Sequence, residues 1–201
     1  MENLENAVNM ASAANAANAV NAVNAVNAAD KVIKTADHAS NVAGIPGTLV
    51  LASANPGKAR EFMALLKPLG CELRLQSEFG VSPAPETGAS FLENALIKAR
   101  HAARETGLAA LGDDSGLCVD ALGGAPGVHS ARYAGSGAGA AQCNQKLLAA
   151  LEGVPEGQGG ACFCCVLCLV RSPDDPRPLI AEGLWRGFIA RQARGAQGFG
   201  Y

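Results

Sequence analysis

The chain has 201 residues, 49% hydrophobic and 17% charged, which leaves room for one ordinary domain with a sizeable core and an appendage. A formal net charge of -2 excludes a general nucleic-acid binder, which carries a basic excess, but not the binding of free nucleotides, which needs only a few placed cations. No apolar run is long enough to span a bilayer and the first residues do not form a signal peptide, so a cytoplasmic protein without membrane contact is expected.

Residues 1–46 are compositionally foreign to the rest. Asparagines recur at 15, 18, 21, 24 and 27 among alanines and valines, and a three-residue period drifts by about 60° per repeat around an α-helix. No single apolar face results, so a weak lone helix and a disordered arm both fit, and no chemistry is assigned to it. Gly44-Ile45-Pro46-Gly47 marks the boundary with a domain expected over residues 47–201.

Thr48–Ala52 is a continuous apolar run, as in a strand buried on both faces. It leads through Ser53-Ala54-Asn55-Pro56-Gly57-Lys58 into Glu61–Leu66, where Phe62, Leu65 and Leu66 recur at helical spacing. A small polar loop ahead of a helix can hold a phosphate through backbone N–H groups and one lysine; a plain strand-helix turn fits equally, and the P-loop pattern is absent. Cys71–Leu75 alternates like a half-exposed strand, and Ser82–Gly88 reads as a loop. Ser90 and Glu93 have capping-box spacing and open a helix that runs to about Glu105, with Gly107 as its stop. Leu92, Leu96, Ala99 and Ala103 are expected to be its buried stripe. Asn94, Lys98 and His101 fall on a different face, for which a solvated surface is the plain reading, most of all for His101.

Gly112-Asp113-Asp114-Ser115-Gly116 is expected to be a tight turn, with the glycines letting it bend and present both carboxylates to one side. Like charges held this close are relieved by a shared proton or a divalent cation, and magnesium takes one or two carboxylates plus phosphate oxygens. A solvated acidic turn accounts for the pair equally well when it is taken alone. Further on, Ala121–Val128 is too glycine-rich for a regular element, and Ala140–Leu151 has helical composition. Cys162, Cys164, Cys165 and Cys168 crowd an apolar run that reads as a buried strand using cysteine as a small hydrophobe. Leu179–Trp185 is a second extended segment, joined to it by a turn over Arg171–Pro176 to make a long hairpin. Trp185 is expected to pack rather than to stack on a base.

The motifs Ser53–Lys58, Glu86–Ala95 with Lys98, Asp113–Leu117, Gly123–Gly127 and Ser130–Tyr133, in that order, resemble the inosine/xanthosine triphosphate pyrophosphatase family over about residues 48–201. The resemblance implies an α/β fold with a long central mixed sheet flanked by helices and two lobes around a nucleotide cleft, in a homodimer. It implies hydrolysis of ITP, dITP and XTP to the monophosphate and pyrophosphate with magnesium. It gives Asp114 as catalytic residue and metal ligand, with Asp113 and Glu86 as further metal ligands. It gives Ser53, Ala54, Asn55, Pro56, Gly57, Lys58, Lys98 and Ser115 as substrate-binding residues, together with Phe199, Gly200 and Tyr201. Family members continue past the last of these with an aspartate, a lysine and a Ser-His-Arg motif, so a carboxyl-terminal truncation is expected, with an inactive or regulatory nucleotide-binding remnant as the alternative function.

Overall fold

The computed structural model describes residues 47–191, apart from Ala54, Glu156 and the side chains of Pro56, Leu65 and Leu69. The Asn/Ala arm over 1–46 and the terminal Phe199, Gly200 and Tyr201 lie outside the described residues. Five strands, β1 (Thr48–Leu51), β2 (Glu72–Leu75), β3 (Ala110–Val119), β4 (Gly160–Val170) and β5 (Leu179–Phe188), form one mixed sheet in the order β2-β1-β3-β4-β5. Among the described residues three α-helices accompany them: α1 (Pro56–Leu66), α2 (Phe91–Thr106) and α3 (Ala140–Ala150). β1 pairs in parallel with both β2 and β3, which is what strand-helix-strand connections require. The α/β class and the mixed, helix-flanked sheet are those the sequence led us to expect. β4 and β5 are neighbours joined by residues 171–178, as a hairpin reading demands.

The described chain forms two compact units, one of residues 47–114 and 166–183, the other of 115–165 and 184–191. In the first, Val50, Ala52 and Ala110 face Ala95, Ala99, Ala102 and Ala103 of α2, with Val166, Cys168 and Val170 completing the core. Small residues on the helix let it lie close to the strands, and close packing leaves little room for any increase in volume. Gly112 is the tightest point: a Cβ there would stand 2.2 Å from the carbonyl oxygen of Ala95 and 2.7 Å from the amide nitrogen of Ala99. Ser90 and Glu93 close the capping box at the start of α2, and Gly107 ends the helix at φ 69°, a backbone angle that glycine adopts without strain. The helix therefore has the ends its sequence announces. Of its expected stripe, Ala99 and Ala103 are fully buried and Leu96 packs against the core, but Leu92 is 40% exposed, and Asn94 is fully buried beside Ala95.

In the second unit, Leu117, Val119, Leu147, Leu151, Ala161 and Phe163 form a core against which Trp185 packs, the role expected of it. Cys162 and Cys165 are buried in β4, Cys168 likewise in the first unit, and all seven cysteines are free thiols. The cysteine-rich run is the buried strand its composition suggests. Residues 121–128 contribute only parts of two short 3-10 turns, Asp120–Leu122 and Gly127–Arg132.

The acidic turn is the main departure from expectation. Residues 112–116 lie inside β3, a continuous ten-residue strand. Gly112 is there to admit a helix, not to bend the chain. Because successive side chains of a strand project to opposite faces, Asp113 and Asp114 are separated by the pleat instead of being presented together.

Candidate active site

Asp114 shares its face of β3 with Gly112 and so looks towards α2. Its Oδ2 accepts a 3.1 Å hydrogen bond from Asn94 Nδ2, and its Oδ1 lies 3.1 Å from Lys98 Nζ. Asn94 and Lys98 sit one turn apart on α2, which points both at the same carboxylate. Lys98 Nζ is also 2.7 Å from Glu86 Oε1, so one ammonium gathers two carboxylates. Burial raises the pKa of Asp114 against the opposing pull of Lys98 and Asn94, and the charge of Glu86 adds to the rise. For Lys98, burial works against the charge, yet Asp113, Asp114 and Glu86 outweigh it and its pKa is raised. A buried cation thus holds carboxylates whose combined charge exceeds its own.

Asp113 is almost fully buried on the other face, and its Oδ2 meets Lys58 Nζ at 2.5 Å. Lys58 is presented by the first turn of α1. There Asn55 is the N-cap, and its Oδ1 accepts from the amides of Gly57 at 2.8 Å and Lys58 at 3.3 Å, while Pro56 stands where no amide proton is needed. The Asn55 amide in turn donates to Ser53 Oγ at 3.2 Å. The two amides expected to cradle a phosphate are therefore occupied by the asparagine side chain.

Of the expected metal ligands, Asp114 and Glu86 come together at Lys98. Asp113 is instead paired with Lys58 across the strand, and among the described residues no three His, Cys, Asp or Glu side chains converge as a ready cage. Two hard carboxylate oxygens on one side of a site fit magnesium, which normally takes its remaining ligands from water and phosphate. Of the expected substrate-binding residues, Ser53, Asn55, Gly57, Lys58 and Lys98 are placed as described. Pro56 is described in its backbone only, Ser115 continues β3 in the other unit, and Ala54, Phe199, Gly200 and Tyr201 are outside the described residues.

Asn94 was not singled out from the sequence as a site residue, and His101 was read as a solvated position. Asn94 is fully buried and bonded on both sides, with Oδ1 accepting from the Gly88 amide at 2.8 Å. His101 Nε2 donates to the Ser82 carbonyl at 2.9 Å. Their i, i+4, i+7 spacing with Lys98 was the available signal: three polar residues on one stripe beside a run of buried alanines.

The model of the Ham1 family matches residues 49–201. The chain belongs to the Ham1 family. Among curated relatives of this Ham1-family chain, the dITP/XTP pyrophosphatase of Yersinia pseudotuberculosis serotype I (strain IP32953) is 57% identical over 153 residues, covering 76% of the chain and 78% of the relative. The dITP/XTP pyrophosphatase of Vibrio vulnificus (strain YJ016) is also 57% identical, covering 76% of each. Among solved structures, a HAM1 protein from Coxiella burnetii superposes with a TM-score of 0.73 at 51% identity, over 77% of the chain and 78% of that protein. The Staphylococcus aureus Ham1 protein gives 0.68 at 35% identity, over 77% and 78%.

Proposed function

We propose that this Ham1-family chain hydrolyses deaminated purine nucleoside triphosphates (ITP, dITP and XTP) to the monophosphate and pyrophosphate, removing them from the nucleotide pool. The observation that carries the reading is the largely buried Lys98 ammonium shared by Glu86 and Asp114, in a chain 57% identical over 153 residues to a protein named dITP/XTP pyrophosphatase.

In this reading Asp114 orients a water molecule towards the α-phosphorus and accepts its proton. A carboxylate whose pKa is raised by burial is a stronger base than one in water, which suits it to that step. The new P–O bond forms at the α-phosphorus as the bond to the bridging oxygen breaks, and pyrophosphate leaves with the electron pair. Lys98 and Lys58 draw in the triphosphate and balance the charge on the leaving group. Asn94 holds the Asp114 carboxylate in place, while Ser53, Ala54, Asn55, Pro56, Gly57 and Ser115 take part in holding the triphosphate by the family resemblance. Glu86 and Asp114 would hold magnesium, which when bound neutralises phosphate charge and polarises the phosphoryl oxygen. Phe199, Gly200 and Tyr201 take part in binding the substrate by the same resemblance. Selection against ATP follows if polar groups there pair with a 6-oxo edge, since a 6-amino group would leave them buried and unmatched.

The family resemblance also supports a homodimer, which its mass in solution tests, and a cytoplasmic location where the nucleotide pool is used. The decisive assay incubates the protein with ITP, dITP, XTP and ATP in magnesium and identifies the products. The monophosphate and pyrophosphate from the first three, with little from ATP, is the expected result. Inosine diphosphate and phosphate as products would overturn the reaction assigned, and nucleotide binding without turnover would favour the non-catalytic alternative.

A further inference from the structure

We propose that one face of α2 is a three-point clasp that sets the position of Glu86, with Asn94 and His101 acting as positioning residues. The inference rests on the reading that Glu86 and Asp114 serve one site. Asn94, Lys98 and His101 follow one another at i, i+4 and i+7 and so line a single stripe of the helix. They grip the segment over residues 82–88 at three points, in reverse chain order. Asn94 Oδ1 takes the Gly88 amide at 2.8 Å, Lys98 Nζ takes Glu86 Oε1 at 2.7 Å, and His101 Nε2 donates to the Ser82 carbonyl at 2.9 Å. Glu86 is the middle point.

The segment needs such a clasp because it belongs to neither helix nor strand, and Pro83 and Pro85 bring no amide proton to any ladder. Its place is fixed by side chains from elsewhere. Asn94 does this with both ends of one amide, since Nδ2 donates to Asp114 while Oδ1 holds Gly88. Full burial of Asn94 keeps water from competing for these bonds. The approach is close enough to require glycine: a Cβ on Gly88 would stand 2.6 Å from Glu93 Cβ and 2.8 Å from Asn94 Oδ1. His101, half-buried at the far end, closes the loop where it leaves the site.

The test compares full-length wild type with His101→Ala and His101→Gln by two readouts. One is hydrogen exchange of the amides in 82–88 without nucleotide or metal; the other is the magnesium concentration giving half-maximal ITP turnover. His101→Ala is expected to leave exchange in β3 unchanged, to speed exchange in 82–88 roughly tenfold, and to raise the magnesium requirement roughly fivefold, as loss of one hydrogen bond predicts. The effect on kcat should be smaller. His101→Gln, which keeps a donor at similar reach, should return both readouts towards wild type. Unchanged exchange in His101→Ala would overturn the clasp, and faster exchange with an unchanged magnesium requirement would overturn its role in setting Glu86. A wild-type chain inert towards ITP would sink the functional reading, while the exchange comparison would still decide the clasp.

Discussion

The two faces of β3 carry adjacent aspartates and treat them differently. On one, Asp113 pairs with Lys58 at 2.5 Å, and its charge also helps to raise the pKa of Lys98. On the other, Asp114 competes with Glu86 for Lys98, and burial leaves its pKa raised. The Asp113–Lys58 pair ties the lysine-bearing start of α1 to the strand. An ammonium with too many carboxylates is a site prepared for further positive charge. Identical side chains at consecutive positions thus take different hydrogen-bonded partners as they alternate along the strand.

The largest effect should come from the open face. Asp114→Asn keeps shape and removes charge, and is expected to lower kcat for ITP by about 10³-fold, the range for loss of a general base, with circular dichroism unchanged. Turnover within tenfold of wild type would remove the base from Asp114. Gly112→Ala should come next. Its methyl group meets backbone of α2, and overpacking of this kind costs about 1–3 kcal/mol or more, visible as a lower urea midpoint; by pushing α2 away from Asp114 it should also cost turnover. An unchanged midpoint would mean that the helix can shift freely.

Asp113→Asn should destabilise by about 1–3 kcal/mol, because it removes the carboxylate that pairs with Lys58 at 2.5 Å. It should cost far less kcat than Asp114→Asn. Equal losses of turnover would erase the distinction between the faces.

How much of this was legible in the sequence depends on the kind of signal. The cap at Ser90, the stop at Gly107, the apolar run of β1 and the buried cysteine strand were readable, because each is a local preference acting on its own residues. Asp113-Asp114 between two glycines was misread as a turn, because glycine beside acidic residues commonly marks one. Here Gly112 serves a contact with Ala95 and Ala99, residues more than ten positions earlier, and no local rule reports that. Asn94 was missed for a related reason. A polar residue on a helix is taken as solvated unless the partners that bury it, Asp114 and Gly88, are known. Asp114 was a candidate from the acidic pair itself and Lys98 from motif order, while their pairing with each other and with Glu86 emerged only from the fold.

The smallest prediction uses a third carboxylate as a control. Asp175 accepts from Arg171 Nε at 2.8 Å and Nη2 at 3.0 Å, and from the amides of Arg171 and Arg177. The Arg171 guanidinium holds its carboxyl well below the usual range. Its stabilisation is therefore complete above the unfolded value of about 3.9 and is lost as pH falls through the depressed one. Asp114 has the opposite shift, so its contribution is complete below about 3.9 and is lost as pH rises through its raised value. Asp175→Asn should cost about 1–2 kcal/mol near neutral pH and converge on wild type in acid. Metal-free Asp114→Asn should instead gain on wild type as pH rises. Urea midpoints across the acid range check both, and slopes of the same sign would contradict the contrast.

The most direct test of the central claim, that Asp114 directs water onto the α-phosphorus, is to hydrolyse ITP in ¹⁸O-labelled water and locate the label. The account predicts label in inosine monophosphate and none in pyrophosphate. Label in pyrophosphate or in free phosphate would place the attack at another phosphorus and contradict it.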